Sequence, residues 1–183
     1  MTAAEAAIPL AENTVRDTSG EAVRLGDLVQ QPTILVIPRY YGCLPCRDYL
    51  SQVSKRLEEV RTAGGAALGV SVGTQQQARW LIEEKGIRFP LLVDPDRQIY
   101  DALDLPRKWW VTLNPRGWWN YARAIARGSR QGKIVEANQI PGLALLDANA
   151  NAIWIHRGKG LGDYPALDDV LEDLRNCHPE STP

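Results

Sequence analysis

The sequence predicts an α/β fold: a central mixed sheet flanked by helices, closed by a C-terminal hairpin and helix. Three observations carry that expectation. The runs Thr33–Ile37 (TILVI) and Ala66–Val72 (AALGVSV) are continuously apolar, as strands buried on both faces are. The first is followed by Leu50, Val53, Leu57 and Val60, which recur at helical spacing with Lys55, Arg56, Glu58 and Glu59 between them. Near the C-terminus, Leu143–Leu146 and Ile153–His156 flank the turn-forming run Asp147-Ala148-Asn149-Ala150-Asn151, a hairpin pattern.

The elements follow in order. Residues 1–12 are Ala-rich and read as a flexible leader. Residues 13–24 form a short hairpin around Asp17-Thr18-Ser19-Gly20. The helix carrying Leu50 begins after Cys43 and stops at Gly64-Gly65, and Gln75–Lys85 is a second helix stopped by Gly86. Leu91–Val93 is a short strand ended by Asp94-Pro95, and Ala166–Asn176 is an amphipathic helix with Leu167, Val170, Leu171 and Leu174 on one face. Neither an internal repeat nor a second domain is visible: residues 13–177 read as one domain with an insert at 106–133, and 178–183 as a tail.

Composition narrows the class. A chain of 183 residues with 44% apolar and 23% charged residues can bury its own core. The net charge of −1 argues against a polyanion-binding protein. Three cysteines are too few for a secreted disulfide framework, and the opening MTAAEAAIPLAENTV has no basic n-region and no long apolar run. The expected compartment is the reducing cytoplasm, where a close cysteine pair is catalytic or metal-binding more often than structural.

That pair is Cys43-Leu44-Pro45-Cys46, placed between a buried strand and a helix. Pro45 suits the first helical turn, where a missing N–H costs nothing. The helix N-terminus stabilises a negative charge, so Cys43 is expected to have a lowered pKa, with Arg39 and Arg47 adding to the effect. Cys46, one turn on, is placed to resolve a mixed disulfide at Cys43. The competing readings are two packed thiols and a metal site; zinc wants four ligands, and His156 and His178 are remote in sequence. The expectation is a redox pair with no metal and no cofactor.

Residues 106–133 stand apart, with seven basic residues, no acidic ones, and Trp109, Trp110, Trp118 and Trp119. Three readings compete: tryptophans completing the core under solvated arginines, a pocket or cover for an apolar, anionic substrate, and contact with an anionic membrane surface. Nucleic-acid binding is not expected, because no recognition motif is present.

The chain resembles the peroxiredoxin-like AhpC/TSA branch of the thioredoxin superfamily, in the subgroup carrying a C-x-x-C pair. The resemblance rests on the order of several segments. They are Asp17–Gly20 with Val23-Arg24-Leu25, Arg39-Tyr40-Tyr41-Gly42-Cys43-Leu44-Pro45-Cys46-Arg47, Gly69–Val72, Leu91–Pro95, Gln139-Ile140-Pro141-Gly142 and His156-Arg157-Gly158. It implies a thioredoxin-like fold with the Ile140-Pro141 loop facing the cysteines, its proline typically cis. It also implies substrate contacts from Arg39, Tyr41, Gly42, Ile140 and Pro141. Aligning the family's Pro-x-x-x-Thr-x-x-Cys motif on Cys46 puts Arg39 at the proline and Cys43 at the threonine. Thioredoxins place an Asp where Ile37 stands and read Trp-Cys-Gly-Pro-Cys. The resemblance therefore implies an antioxidant-type dithiol reductase rather than a single-cysteine peroxidase.

The expected function is a thiol-dependent oxidoreductase. Its substrate is a peroxide, a disulfide or another oxidised small molecule, and its reductant a low-molecular-weight thiol or thioredoxin-type protein. The alternatives are a weakly catalytic binding or regulatory module for an apolar anion, and a recruited biosynthetic enzyme. A homodimer is compatible with the sequence. Cys177, in the C-terminal region, reads as a free thiol, with a second resolving role as its alternative.

Overall fold

The computed structural model describes residues 7–108, 115–128, 132 and 138–177. The chain opens with β1 (Ile8–Pro9), β2 (Thr14–Arg16) and β3 (Ala22–Arg24), followed by the single-turn α1 (Leu25–Leu28). Asp17 builds the β2–β3 turn, its Oδ1 accepting the backbone N–H groups of Ser19, Gly20 and Glu21. The expected leader is ordered earlier than residue 12: β1 pairs with a C-terminal strand, and Leu10 is fully buried. Ile8 and Leu10 are isolated apolar residues in an Ala-rich stretch, too few to form a strand pattern in the sequence.

The middle of the chain holds β4 (Thr33–Ile37), α2 (Leu44–Lys55), α3 (Leu57–Thr62), β5 (Ala66–Ser71), α4 (Gln75–Lys85), β6 (Leu91–Val93) and α5 (Gln98–Ala102). The helix expected to run to Gly64 is two helices. Arg56 leaves helical geometry (φ −101°, ψ 20°), and its guanidinium binds both Glu59 and Asp168. Gly64, at φ 78°, supplies the left-handed residue that ends α3. α4 has the bounds its sequence signals give, a Thr74/Gln77 capping box and a left-handed Gly86.

The chain ends with α6 (Pro115–Ala126), β7 (Gly142–Leu146), β8 (Asn151–Arg157) and α7 (Leu167–Asn176). The eight strands lie in the order β1-β8-β7-β4-β5-β6-β2-β3, with β4 parallel to β5 and antiparallel to β7. Successive residues of β4 face opposite sides. Ile34 and Val36 pack with Leu50, Val53, Leu143 and Val170, whereas Leu35 and Ile37 pack with Val70, Ile99, Tyr100 and Ala144. This is the thioredoxin-like α/β architecture expected. No helix among the described residues is long and apolar enough to cross a membrane.

The turn after β6 depends on a buried carboxylate. Asp94 accepts the backbone N–H groups of Gln98 (3.0 Å) and Ile99 (2.9 Å) at the start of α5. Asp94→Ala leaves those donors without an acceptor and is expected to cost about 1–3 kcal/mol, read as a lower urea midpoint.

Candidate active site

Both cysteines lie where β4 hands over to α2. Cys43 is the N-cap of α2 in an extended conformation, and Pro45 occupies its first turn. The incoming loop is held at several points. The Tyr100 hydroxyl donates to the Pro38 carbonyl at 2.5 Å, and the Cys43 N–H donates to the Tyr40 carbonyl at 3.1 Å. Arg39 Nε donates to the Gln139 carbonyl at 2.7 Å, while the Gln139 side chain accepts from Arg97 and donates to the Leu105 and Ile140 carbonyls. A satisfied polar network of this kind fixes backbone geometry. Through it, Arg39 ties the cysteine loop to the Ile140-Pro141 loop.

The two thiols are free, with sulfurs 2.6 Å apart and 1% and 0% of the respective residues exposed. Burial pushes the Cys43 thiol well above its usual value, and the neighbouring Cys46 adds to the rise, while Arg39 pulls it down less. Burial also opposes a charge on Cys46. There it is outweighed by the Cys43 thiol, the Arg39 charge, the Arg39 backbone N–H and the Tyr164 hydroxyl, so Cys46 is lowered. The two thiols are coupled, and the charge is favoured on Cys46 over Cys43. The sequence leads to the lowered thiol being expected at Cys43; in the fold, burial and the neighbouring Cys46 raise that thiol.

The surrounding residues divide between partners of the thiols and supports. Arg39 Nη1 lies 4.0 Å from Cys43 Sγ. Arg47 is fully buried but belongs elsewhere: it pairs with Glu84 and stacks 4.3 Å over the Trp80 ring. Tyr41, read as a substrate contact, is instead a buried strut whose hydroxyl donates to the Gly69 and Leu92 carbonyls at 3.1 and 2.5 Å, linking β5 to β6. The Ile140–Pro141 bond is not cis; the Pro141 carbonyl accepts the Gly158 N–H, and Gly158 packs against the Pro141 ring as the chain enters β7.

Tyr164 was not visible as a site residue, since nothing in its spacing relates it to cysteines more than a hundred residues earlier. Its hydroxyl lies close enough to Cys46 to stabilise a thiolate, without the alignment of a formed hydrogen bond. Its ring stacks on Tyr49 with centroids 4.3 Å apart. The only signal was its position just after the Gly158–Gly162 loop.

The insert covers the site in part. Gly132 N–H donates to the Gly42 carbonyl at 2.9 Å, and a Cβ at Gly132 would stand 2.8 Å from Gly42 Cα. Asn120 on α6 donates to the Leu161 and Gly162 carbonyls. Trp118 and Trp119 are 61% and 67% exposed, so these two do not complete the core. Trp109 and Trp110 lie outside the described residues. Cys177, at the far end of α7, donates its thiol to the Asp173 carbonyl.

Comparison with known proteins gives the same frame. The model of the AhpC/TSA family matches residues 5–149. The prostamide/prostaglandin F synthase of Salmo salar is 27% identical over 174 residues, covering 91% of this chain and 86% of that one. The thiol-disulfide oxidoreductase ResA of Bacillus subtilis is 28% identical over 107 residues, covering 56% of this chain and 58% of that one. Among solved structures, a peroxiredoxin Q of Xanthomonas campestris superposes with a TM-score of 0.68 at 17% identity, covering 96% of this chain and 99% of that one. With the family model spanning most of the sequence, the chain belongs to the AhpC/TSA family of thioredoxin-like oxidoreductases.

Proposed function

We propose that this oxidoreductase works through the Cys43–Cys46 dithiol, with Cys46 as the attacking sulfur and Cys43 as the resolving one. The observation that supports it is the 2.6 Å approach of two free thiols whose shared charge falls on Cys46. With a peroxide, the Cys46 thiolate attacks one oxygen. An S–O bond forms, the O–O bond breaks, and the departing oxygen leaves as an alcohol after taking up a proton. Cys43 then attacks Cys46, releasing water and closing the disulfide. With a disulfide substrate, the same attack gives a mixed disulfide that Cys43 resolves. An external thiol or thioredoxin-type protein restores both thiols. Both sulfurs are buried, with Tyr40 and Tyr164 packed around them, so neighbouring side chains must move before a substrate reaches either one.

A purely binding role is not favoured, because free thiols this close have a direct chemical use. A biosynthetic reduction is the second reading. It is supported by the likeness to the salmon synthase along 91% of the chain.

Alkylation with iodoacetamide over a range of pH tests the assignment. Cys46 carries the lowered pKa, so its labelling is expected to persist below the usual thiol value of 9.0 and fade as acid protonates it. Tyr164→Phe removes a hydroxyl that favours the thiolate and is expected to move the midpoint upward. A midpoint unchanged in Tyr164→Phe, or labelling confined to Cys43, contradicts the assignment.

A further inference from the structure

The face that α6 turns to solvent is its apolar one. Inward it presents Gly117 and Ala124, both buried, and Asn120, which donates to the Leu161 and Gly162 carbonyls. A Cβ at Gly117 would stand 2.8 Å from Leu161 Cβ, so the helix lies tight against that loop. Outward it presents Trp118, Ala122 and Ile125, at i, i+4 and i+7, with Trp119 and Ala126 beside them. Trp118, Trp119 and Ile125 are 61%, 67% and 57% exposed. A surface helix ordinarily has the opposite arrangement, with its apolar stripe on the core and polar residues in water.

The patch is local. Among the described residues six large apolar side chains are exposed, and three of them lie on this one helix face. Such clusters mark interaction surfaces, whereas single exposed apolar residues do not.

Charge and size select the occupant. Residues 106–133 carry seven basic residues and no acidic one. Arg123 stands one turn after Trp119 at the edge of the apolar face, and it is exposed. Arg127 lies on the inward edge, where Asp48 pairs with it at 2.7 Å. Lys85 reaches the Gly128 carbonyl just past the end of α6. Tryptophans flanked by arginine are the composition of helices that lie in the surface of an anionic bilayer. A second copy of the chain fits less well. Twelve residues of helix span roughly 18 Å, a narrow strip beside the ~800 Å² that a stable dimer takes from each partner.

We infer that α6 is a docking helix for an anionic lipid bilayer. It lies in the plane of the surface, with Trp118, Trp119 and Ile125 sunk below the headgroups and Arg123 among the lipid phosphates. Gly162 packs against both Asn120 of α6 and Pro45 of the cysteine segment, so the docked helix sets the dithiol one layer of chain from the lipid. The docking does not depend on the chemistry proposed for the cysteines.

Co-sedimentation of the full-length protein with vesicles tests it, using phosphatidylcholine alone and an equal mixture of phosphatidylcholine and phosphatidylglycerol. Binding is expected on the mixture, weakening as salt rises, and is expected to be much poorer on phosphatidylcholine alone. The double variant Trp118→Gln, Trp119→Gln should lose about tenfold or more in affinity, since each ring withdraws a large apolar surface from water. Arg123→Gln should lose about fivefold, the worth of one cation near an anionic surface. Ile153→Gln, which removes an exposed apolar residue of β8 instead, should bind as the parent does. Circular dichroism checks that each variant is folded. No binding to the mixture, equal binding to both vesicles, or parent affinity in the folded double variant overturns the inference. So does an equal loss in Ile153→Gln. A dimer in sedimentation velocity that the double tryptophan variant dissociates overturns it too, and assigns the face to a second copy.

Discussion

Cys46→Ser is expected to abolish reduction of peroxide or disulfide substrates, by a factor on the order of 10³ or more, while Cys43→Ser spares the first chemical step. The two substitutions differ because the sulfurs do different work. In Cys43→Ser the Arg39 charge, the Arg39 N–H and the Tyr164 hydroxyl still act on Cys46, so a thiolate persists and attacks once. The product is a sulfenic acid with no neighbouring thiol, which a dimedone adduct on Cys46 would report at about one equivalent. Turnover then stops unless an external thiol replaces Cys43. In Cys46→Ser the remaining Cys43 keeps the burial that is the largest cause of its raised value, so neither adduct nor burst is expected. Mass spectrometry of each variant after one addition of hydroperoxide distinguishes the cases. A sulfenate on Cys43 in Cys46→Ser would restore the order that the helix dipole alone suggests.

The proposed order of attack rests on contacts that local sequence does not carry. The strand Thr33–Ile37, the hairpin turned by Asp17 and the bounds of α4 were legible because each depends on neighbours within a few residues. The same holds for the cysteine pair at the start of α2. The titration of that pair depends on burial and on Tyr164, which only the fold brings near. The hydroxyl contacts of Tyr41 were hidden for a similar reason. An aromatic residue beside the cysteines has the same sequence context whether it meets substrate or ties β5 to β6. The break at Arg56 was invisible because no glycine or proline marks it.

Arg47 shows the same limit in energetic terms, and a large stability effect is expected there. From sequence it is a cation beside a redox pair; in the fold it is fully buried, paired with Glu84 and stacked over Trp80. Its charge has already been taken out of water, so the pair's worth depends on both members being present. Glu84→Gln keeps shape but removes the countercharge. It is expected to cost about 2–4 kcal/mol, somewhat under the fully buried case because Glu84 is partly exposed. The double variant Arg47→Met, Glu84→Gln removes the buried charge as well, and Met can fill the space over the Trp80 ring. It should recover more than half of that loss. Urea unfolding of the parent, both single variants and the double variant measures the coupling. If Glu84→Gln moves the midpoint by no more than an exposed pair would, the attraction is screened by solvent. Arg47 would then be held by packing on Trp80 rather than by charge.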